Sequence, residues 1–208
     1  HCGARTLGVK VAPYWHSIAQ DSRRVSHAGF LEDQTLRGYL SDMVIAQAYA
    51  LFNHQVIRDR IFTILNRLCK AKCKESVFTT HNYISFSEQR PMLRKGAIEA
   101  GEGRKVAIPF NMRDGIALCV GRGNKRWLNS APHGAGRSMS RSRARRELSL
   151  DDFCDTMQGI FSSSVCNATL DESPMAYKST EEILELIRPT VEVIDIIRPL
   201  LNLKDKGE

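Results

Sequence analysis

No stretch of this sequence is apolar for long enough to cross a bilayer, and its start lacks the basic and apolar regions of a secretory signal. Both absences point to a cytoplasmic location. Cysteine is present without a framework. The six thiols, Cys2, Cys69, Cys73, Cys119, Cys154 and Cys166, are irregularly spaced in a chain too large to need stapling, so they read as reduced. Cys69 and Cys73 share a helical face at i, i+4, but no histidine pair lies near them, and they read as helix-packing residues. Internal repeats are missing, which excludes a solenoid or propeller.

What is there is ordinary soluble composition. The chain has 208 residues, 42% hydrophobic and 25% charged, enough for one globular domain with a substantial core. Thirty basic against 23 acidic residues give a formal +7, which suits a polyanionic partner without demanding one.

Residues 1 to 33 are mixed and polar with no sustained period, and read as an irregular flank. From Gln34 to about Lys74, Leu36, Tyr39, Leu40, Met43, Val44, Gln47 and Leu51, then Ile57, Ile61, Ile64, Leu65 and Leu68, recur at three- and four-residue steps. That predicts one very long helix or two in succession, with the break at Asn53-His54. Ser76 to Phe86, Lys105 to Pro109 and Ile116 to Val120 read as strands of an antiparallel meander. Helices are expected over Ser138 to Leu148, after the Ser149–Asp152 box, and after the Ser179–Glu182 box up to Pro189; Val191 to Ile197 is a closing strand. The fold class is α+β, an antiparallel sheet core flanked by helices. Gly121-Arg122-Gly123-Asn124 lacks the lysine and the strand-to-helix context of a phosphate loop and reads as a hairpin turn. Trp15 and Trp127 read as packing residues.

The most informative run is Ser130-Ala131-Pro132-His133-Gly134-Ala135-Gly136-Arg137-Ser138-Met139-Ser140-Arg141. Proline fixes the approach, glycines let backbone N–H groups come near anionic oxygens, and arginines supply forked donors, so His133 is placed to attack phosphorus. A structural loop histidine is the alternative.

This run resembles the nucleotidyl-transfer signature of RtcB-type RNA ligases, the tRNA-splicing ligases. Other blocks match in family order: His1-Cys2-Gly3-Ala4-Arg5-Thr6-Leu7-Gly8, His81-Asn82-Tyr83, Arg94-Lys95-Gly96-Ala97, Ile108-Pro109 with Met112, Ala176-Tyr177-Lys178, and Arg198-Pro199-Leu200 followed by Lys204. A chain opening on His1 inside such a block reads as the C-terminal portion of a longer catalytic domain, incomplete at its N-terminus. The family's upstream Asp-x-x-Cys and Gly-Asn-His metal segments have no counterpart in it.

The resemblance implies an RtcB-like fold and a GTP- and Mn(II)-dependent ligase. His133 would attack the α-phosphorus of GTP, and guanylate would pass to an RNA 3′-phosphate, which a 5′-hydroxyl end would then join; a 2′,3′-cyclic phosphate would first be opened. An activating helper protein belongs to the same picture. Imidazole suits borderline metals, so His1 and His81 are the metal candidates, although a strand-end histidine capping backbone groups is the plain reading of His81. Guanylate contacts carried over by motif are Asn82, Pro109, Phe110, Asn111, Met112, Gly134, Ala135, Gly136, Tyr177 and Lys204, with Ile116 at the position of a second base contact. Tyr177 either meets the base or is a buried tyrosine beside Pro174, and Lys204 is an ordinary tail lysine unless something pins it.

Asn111 keeps hydrogen-bonding capacity where the commoner pattern has serine, but Ile116 offers none, which loosens the expected guanine preference. For RNA phosphates the candidates are Arg5, Lys95 and Arg137. The run Arg137, Arg141, Arg143, Arg145 and Arg146 could extend that track along a helix; for Arg143 to Arg146 the alternative is a solvated face. No aromatic residues interleave with the arginines, which argues for reading ends and phosphates rather than bases. Two other readings stand beside the ligase. One is a nucleotide- and RNA-binding fragment without catalysis; the other is a metal-dependent phosphoesterase, which would need carboxylate ligands that no matching motif supplies.

Overall fold

The apolar periodicity of residues 33 to 69 is realised without interruption. The computed structural model describes residues 3–21, 29–86 and 91–204, and the chain divides into two units, His1–Ser76 and Val77–Glu208. The first unit holds helices α1 (Arg5–Asp21) and α2 (Asp33–Cys69). A capping box between Glu32 and Thr35 starts α2, and Lys70 in the left-handed conformation closes it, its N–H donating to Asn66 O at 3.0 Å. No break falls at Asn53-His54, because neither residue removes a backbone donor.

The expected irregular flank at the start is corrected: residues 5 to 21 are helical despite Pro13 inside the segment. The reason is tertiary. Trp15 of α1 lies edge-on to Tyr39 of α2, with ring centroids 6.3 Å apart, and donates Nε1–H to Asp42 Oδ2 at 2.8 Å. Gly38 makes the room, since a Cβ there would stand 2.4 Å from the Trp15 ring. Cys69 and Cys73 are corrected too: both are exposed, and Cys73 lies beyond the helix end.

The second unit is α+β. Strands β1 (Asn82–Ser85) and β2 (Met92–Lys95) pair antiparallel, as do β3 (Ala97–Glu99) and β6 (Ser130–Pro132). Strands β4 (Lys105–Pro109), β5 (Ile116–Gly121) and β7 (Val191–Ile197) form a third sheet in the order β4-β5-β7, all antiparallel, with a register shift at Leu118/Cys119. Three small sheets thus replace the simple meander. The strand expected from Ser76 shortens to four residues because β2 offers only four partners. Gly121–Asn124 is not a hairpin turn: it runs from β5 into a short 3-10 turn (Lys125–Trp127) capped by Asn124, and Trp127 there is 58% exposed and not a packing residue.

Helices α3 (Arg141–Glu147), α4 (Leu150–Thr156) and α5 (Thr180–Ile187) begin on Ser140, Ser149 and Ser179, each accepting an N–H from the third helical residue. Alternating apolar residues of β4 and β5 (Val106, Ile108, Ala117, Cys119) pack with Ile98, Phe110, Ala131, Ile183, Ile187 and Val191 in the main core. Burial pushes the Cys119 thiol up to about 11, so it is inert as a nucleophile at neutral pH. Met112, Phe153, Met157 and Leu170 form a second cluster beneath α4. Among the described residues no helix is long and apolar enough to cross a membrane.

The Trp15 contact predicts that Trp15→Ala lowers the stability of the helical unit by about 1–2 kcal/mol, read by circular dichroism during chemical denaturation. An unchanged midpoint would mean that the helices do not depend on this ring.

Candidate functional site

Strand register brings three separated motifs to one point. Asn82 pairs with Lys95, so His81, one residue earlier, lies opposite Gly96; Ala97 pairs with Pro132, so Gly96 also lies opposite His133. The peptide groups of Gly96 make both joins. Its N–H donates to His81 O at 2.9 Å and to Asn82 Oδ1 at 3.1 Å, and its carbonyl accepts from His133 N at 3.3 Å and from the His133 ring at 2.7 Å. Gly96 has φ of +67°, a conformation that favours glycine.

The ring contact fixes the chemistry of His133. A carbonyl oxygen only accepts, so Nδ1 carries the hydrogen and, in the neutral ring, the Nε2 lone pair is left for an electrophile or a metal. His81 stacks on His133, with ring centroids 4.7 Å apart and planes inclined by 30°. Burial, then the neighbouring His133, lowers the His81 pKa, which favours the neutral ring that a metal needs. A metal at His81 would therefore meet a suitable imidazole, but among the described residues no three of His, Cys, Asp and Glu converge as a metal cage. His1, the other metal candidate, lies outside the described residues.

Beyond His133 the loop divides its amides. His133 N–H is held by Gly96, and Ala135 N–H donates to Pro109 O at 3.1 Å, while the N–H groups of Gly134 and Gly136 make no such bond among the described residues. Two amides, not four, are thus available to an anion. Phe110 and Met112 are 3% and 1% exposed, so their side chains belong to the core and only their backbone is left for a ligand. Ile116, at the end of β5 beside Pro109, is exposed.

A shallow cleft of about 210 Å³ is lined by Asn111, Arg113, Asp114, Tyr177, Lys178 and Thr180, among others. That is below the size of a pocket that engulfs a ligand. Asn111 Oδ1 accepts from the N–H groups of Arg113 and Asp114 at 2.9 Å each, and its Nδ2 donates to Asp114 Oδ2 at 2.8 Å. Burial raises the Asp114 pKa, but hydrogen bonds from Arg113, Asn111 and Thr180 outweigh it and bring the carboxyl to about 2.

Tyr177 donates its hydroxyl to Glu172 Oε2 at 2.8 Å and lies under the Arg137 guanidinium, 5.0 Å from its centroid. Burial, then the Glu172 carboxylate, pushes its pKa up to about 12. Lys204 is pinned after all: Nζ reaches Glu172 Oε2 at 3.3 Å, and its backbone N–H and C=O both bond Ser164 Oγ at 2.9 Å. Arg137 turns inward, donating to Met139 O, Asp171 O and Tyr177 OH. Arg141 and Arg145 reach Asp171, which is 2% exposed, at 2.5 and 3.0 Å, and Arg143 and Arg146 pair with Glu147. Arg137 is largely buried, whereas Arg143, Arg145 and Arg146 remain mostly exposed while pairing with carboxylates, so Arg143 to Arg146 form a solvated, ion-paired face. Lys95 is exposed next to Gly96; Arg5 is exposed at the start of α1, in the other unit.

The sequence reading missed Gly96, Asp114 and Glu172. Gly96 was inside a matched block but silent, because its role is carried by backbone. The adjacent carboxylates Asp171 and Glu172, close to Tyr177 in a basic chain, were the available signal for the acidic hub.

Two substitutions check this geometry. Gly96→Ala has room, its Cβ falling 3.6 Å from the His133 ring, but strains the backbone, and is expected to cost about 1 kcal/mol in chemical denaturation. Asp114 stays below its ordinary 3.8 in the fold, so its contribution is full above about pH 4 and is lost as pH falls toward 2. After discounting for partial exposure, Asp114→Asn is expected to cost about 1–2 kcal/mol at neutral pH, with that cost vanishing only as pH falls below 2.

A family model described as tRNA-splicing ligase RtcB matches residues 1–205. RNA-splicing ligase RtcB1 of Escherichia coli (strain ATCC 25922) is 28% identical over 204 residues, covering 88% of this chain and 50% of that protein. RNA-splicing ligase RtcB2 of the same strain is 30% identical over 207 residues, covering 90% and 49%, and tRNA-splicing ligase RtcB of Aeropyrum pernix is 28% identical over 227 residues, covering 89% and 47%. The chain spans about half the length of these relatives. With its motif blocks in order and a match over nearly every residue, the chain belongs to the RtcB family.

Proposed function

We propose that this chain is the guanylyl-transfer portion of a cytoplasmic RNA ligase, with His133 as nucleophile. The observation that carries the reading is the 2.7 Å contact between the His133 ring and Gly96 O, which holds the proton on Nδ1 and offers Nε2 to phosphorus. The Nε2 lone pair forms a bond to the α-phosphorus of GTP as the bond to the bridging oxygen breaks and pyrophosphate leaves. No base is required for this step. The ring becomes cationic on phosphorylation, and the Gly96 carbonyl stabilises that charge through Nδ1–H. Guanylate then passes to an RNA 3′-phosphate, and a 5′-hydroxyl displaces GMP to form the phosphodiester; a 2′,3′-cyclic phosphate end is hydrolysed first.

His81 is the residue that would hold Mn(II), together with ligands from outside the described residues, and the bound ion would supply positive charge beside the phosphate oxygens. The amides of Gly134 and Gly136 bind phosphate oxygens, Asn82 offers its side-chain amide N–H groups, and Lys95 meets an RNA end, while Arg5, in the other unit, is a separate candidate for RNA phosphate. The Tyr177 hydroxyl is already donated to Glu172, so this residue serves through its ring face, and Asn111 and Lys204 provide polar contacts to the base. The absence of a three-ligand cage among the described residues favours a division of labour in which this chain alone binds nucleotide but does not transfer it. An activating helper protein is part of the same reading.

The chain, and a longer form carrying the upstream metal motifs, are incubated with Mn(II) and GTP labelled at the α-phosphate. An acid-labile, alkali-stable label is expected on the longer form only, and none in its His133→Ala variant. Label that survives in His133→Ala sinks the assignment.

A further inference from the structure

The residues proposed to meet the nucleotide do not stand alone. Three parts of the chain, two of them distant in sequence, converge on one carboxylate, Glu172, whose side chain is 16% exposed. The Tyr177 hydroxyl and Lys204 Nζ share its Oε2, at 2.8 and 3.3 Å, while Arg141 Nη1 lies 2.6 Å and Arg137 Nη1 4.0 Å from its Oε1. Without that carboxylate, three cations would face one another with no intervening charge except Asp171 on Arg141. Lys204 would then have nothing to choose one rotamer of its flexible stem.

We propose that Glu172 is a positioning residue that holds Tyr177 and Lys204 in the arrangement in which they meet the guanine nucleotide. The proposal rests on the assignment of those two residues to the nucleotide and extends it to the group that presets them. Its chemistry leaves both partners competent. Lys204 gives one of three N–H donors to Glu172 and keeps two for an acceptor on the ligand. Tyr177, with its hydroxyl donated and Arg137 over its ring, is fixed in orientation at the wall of the cleft that also contains Asn111. Pre-setting lowers the ordering cost of binding, so its loss appears in nucleotide affinity.

The test is GMP binding by the 208-residue chain, without metal, measured calorimetrically for the wild type, Glu172→Ala, Glu172→Gln, Lys204→Met, and Lys204→Met combined with each Glu172 variant. Glu172→Ala is expected to weaken GMP about tenfold. Glu172→Gln, which keeps an acceptor for Tyr177 but loses the charge facing Lys204, should fall between it and the wild type and remains the test if the alanine variant does not fold. Lys204→Met should add little once Glu172 is changed, because its geometry is already lost. Ultraviolet titration, with Tyr177→Phe as the blank, should show the Tyr177 hydroxyl of Glu172→Ala ionising at lower pH than in the wild type, while burial still holds it above the ordinary tyrosine range.

A merely structural Glu172 would lower the melting temperature yet leave the effect of Lys204→Met intact, and that result overturns the proposal. So do Glu172 variants that bind GMP like the wild type while Lys204→Met binds weakly, and in that case the nucleotide assignment survives. If the wild type itself does not bind GMP, or if Lys204→Met binds as well as it does, the assignment falls and the positioning role falls with it.

Discussion

One glycine carries the geometry on which everything else depends. Gly96 joins β2 to β3, and its two peptide groups hold His81 on one side and His133 on the other. Strand pairing is discrete: a slip of one residue on either side would turn every side chain of that strand to the opposite face. The stacking of the two imidazoles is therefore fixed to within the tolerance of backbone hydrogen bonds, and the same carbonyl that sets the register also sets the His133 tautomer. Arg94, 2% exposed, reinforces this frame by donating to Ser130 Oγ and Leu128 O on either side of the turn that leads into β6.

The second constraint is electrostatic. A chain of formal charge +7 invites the expectation of a broad basic surface. Part of that charge is instead paired: Arg141 and Arg145, still mostly exposed, reach the buried Asp171, and Arg137 lies along Tyr177. Burial opposes ionisation of Asp171, but the hydrogen bonds from Arg141 and Arg145 outweigh it and lower its pKa. The consequence is an ordered acidic hub within a basic protein, which ties α3 to the turn before Tyr177 and reaches Lys204 through Glu172. Within an RtcB-type half, this arrangement gives the proposed nucleotide contacts a rigid backing.

Local signals were read well where they are self-contained. Ser149 and Ser179 each offer a hydroxyl to an N–H three residues on, and that interaction needs nothing distant, so α4 and α5 begin where their boxes fall. Alternation in Lys105–Pro109 likewise reflects one buried face, whereas in Val191–Ile197 only Val191 is buried. The start of the chain was not legible, because α1 is held by the Trp15–Asp42 and Trp15–Tyr39 contacts with a partner helix. The strand expected from Ser76 was overextended because propensity says nothing about how many residues a partner offers.

By itself the sequence determined the chemical inventory and its order: the imidazoles of His81 and His133, the glycines that let backbone approach a ligand, the capped helices, and the family to which such blocks belong. Only the tertiary structure decided which ring nitrogen is offered, which loop amides are already taken, and that Arg141 and Arg145 are paired with the buried Asp171. The reason is that residue identity fixes what a group can donate or accept, whereas the partner it meets is set by long-range register and packing between segments that are far apart in the chain.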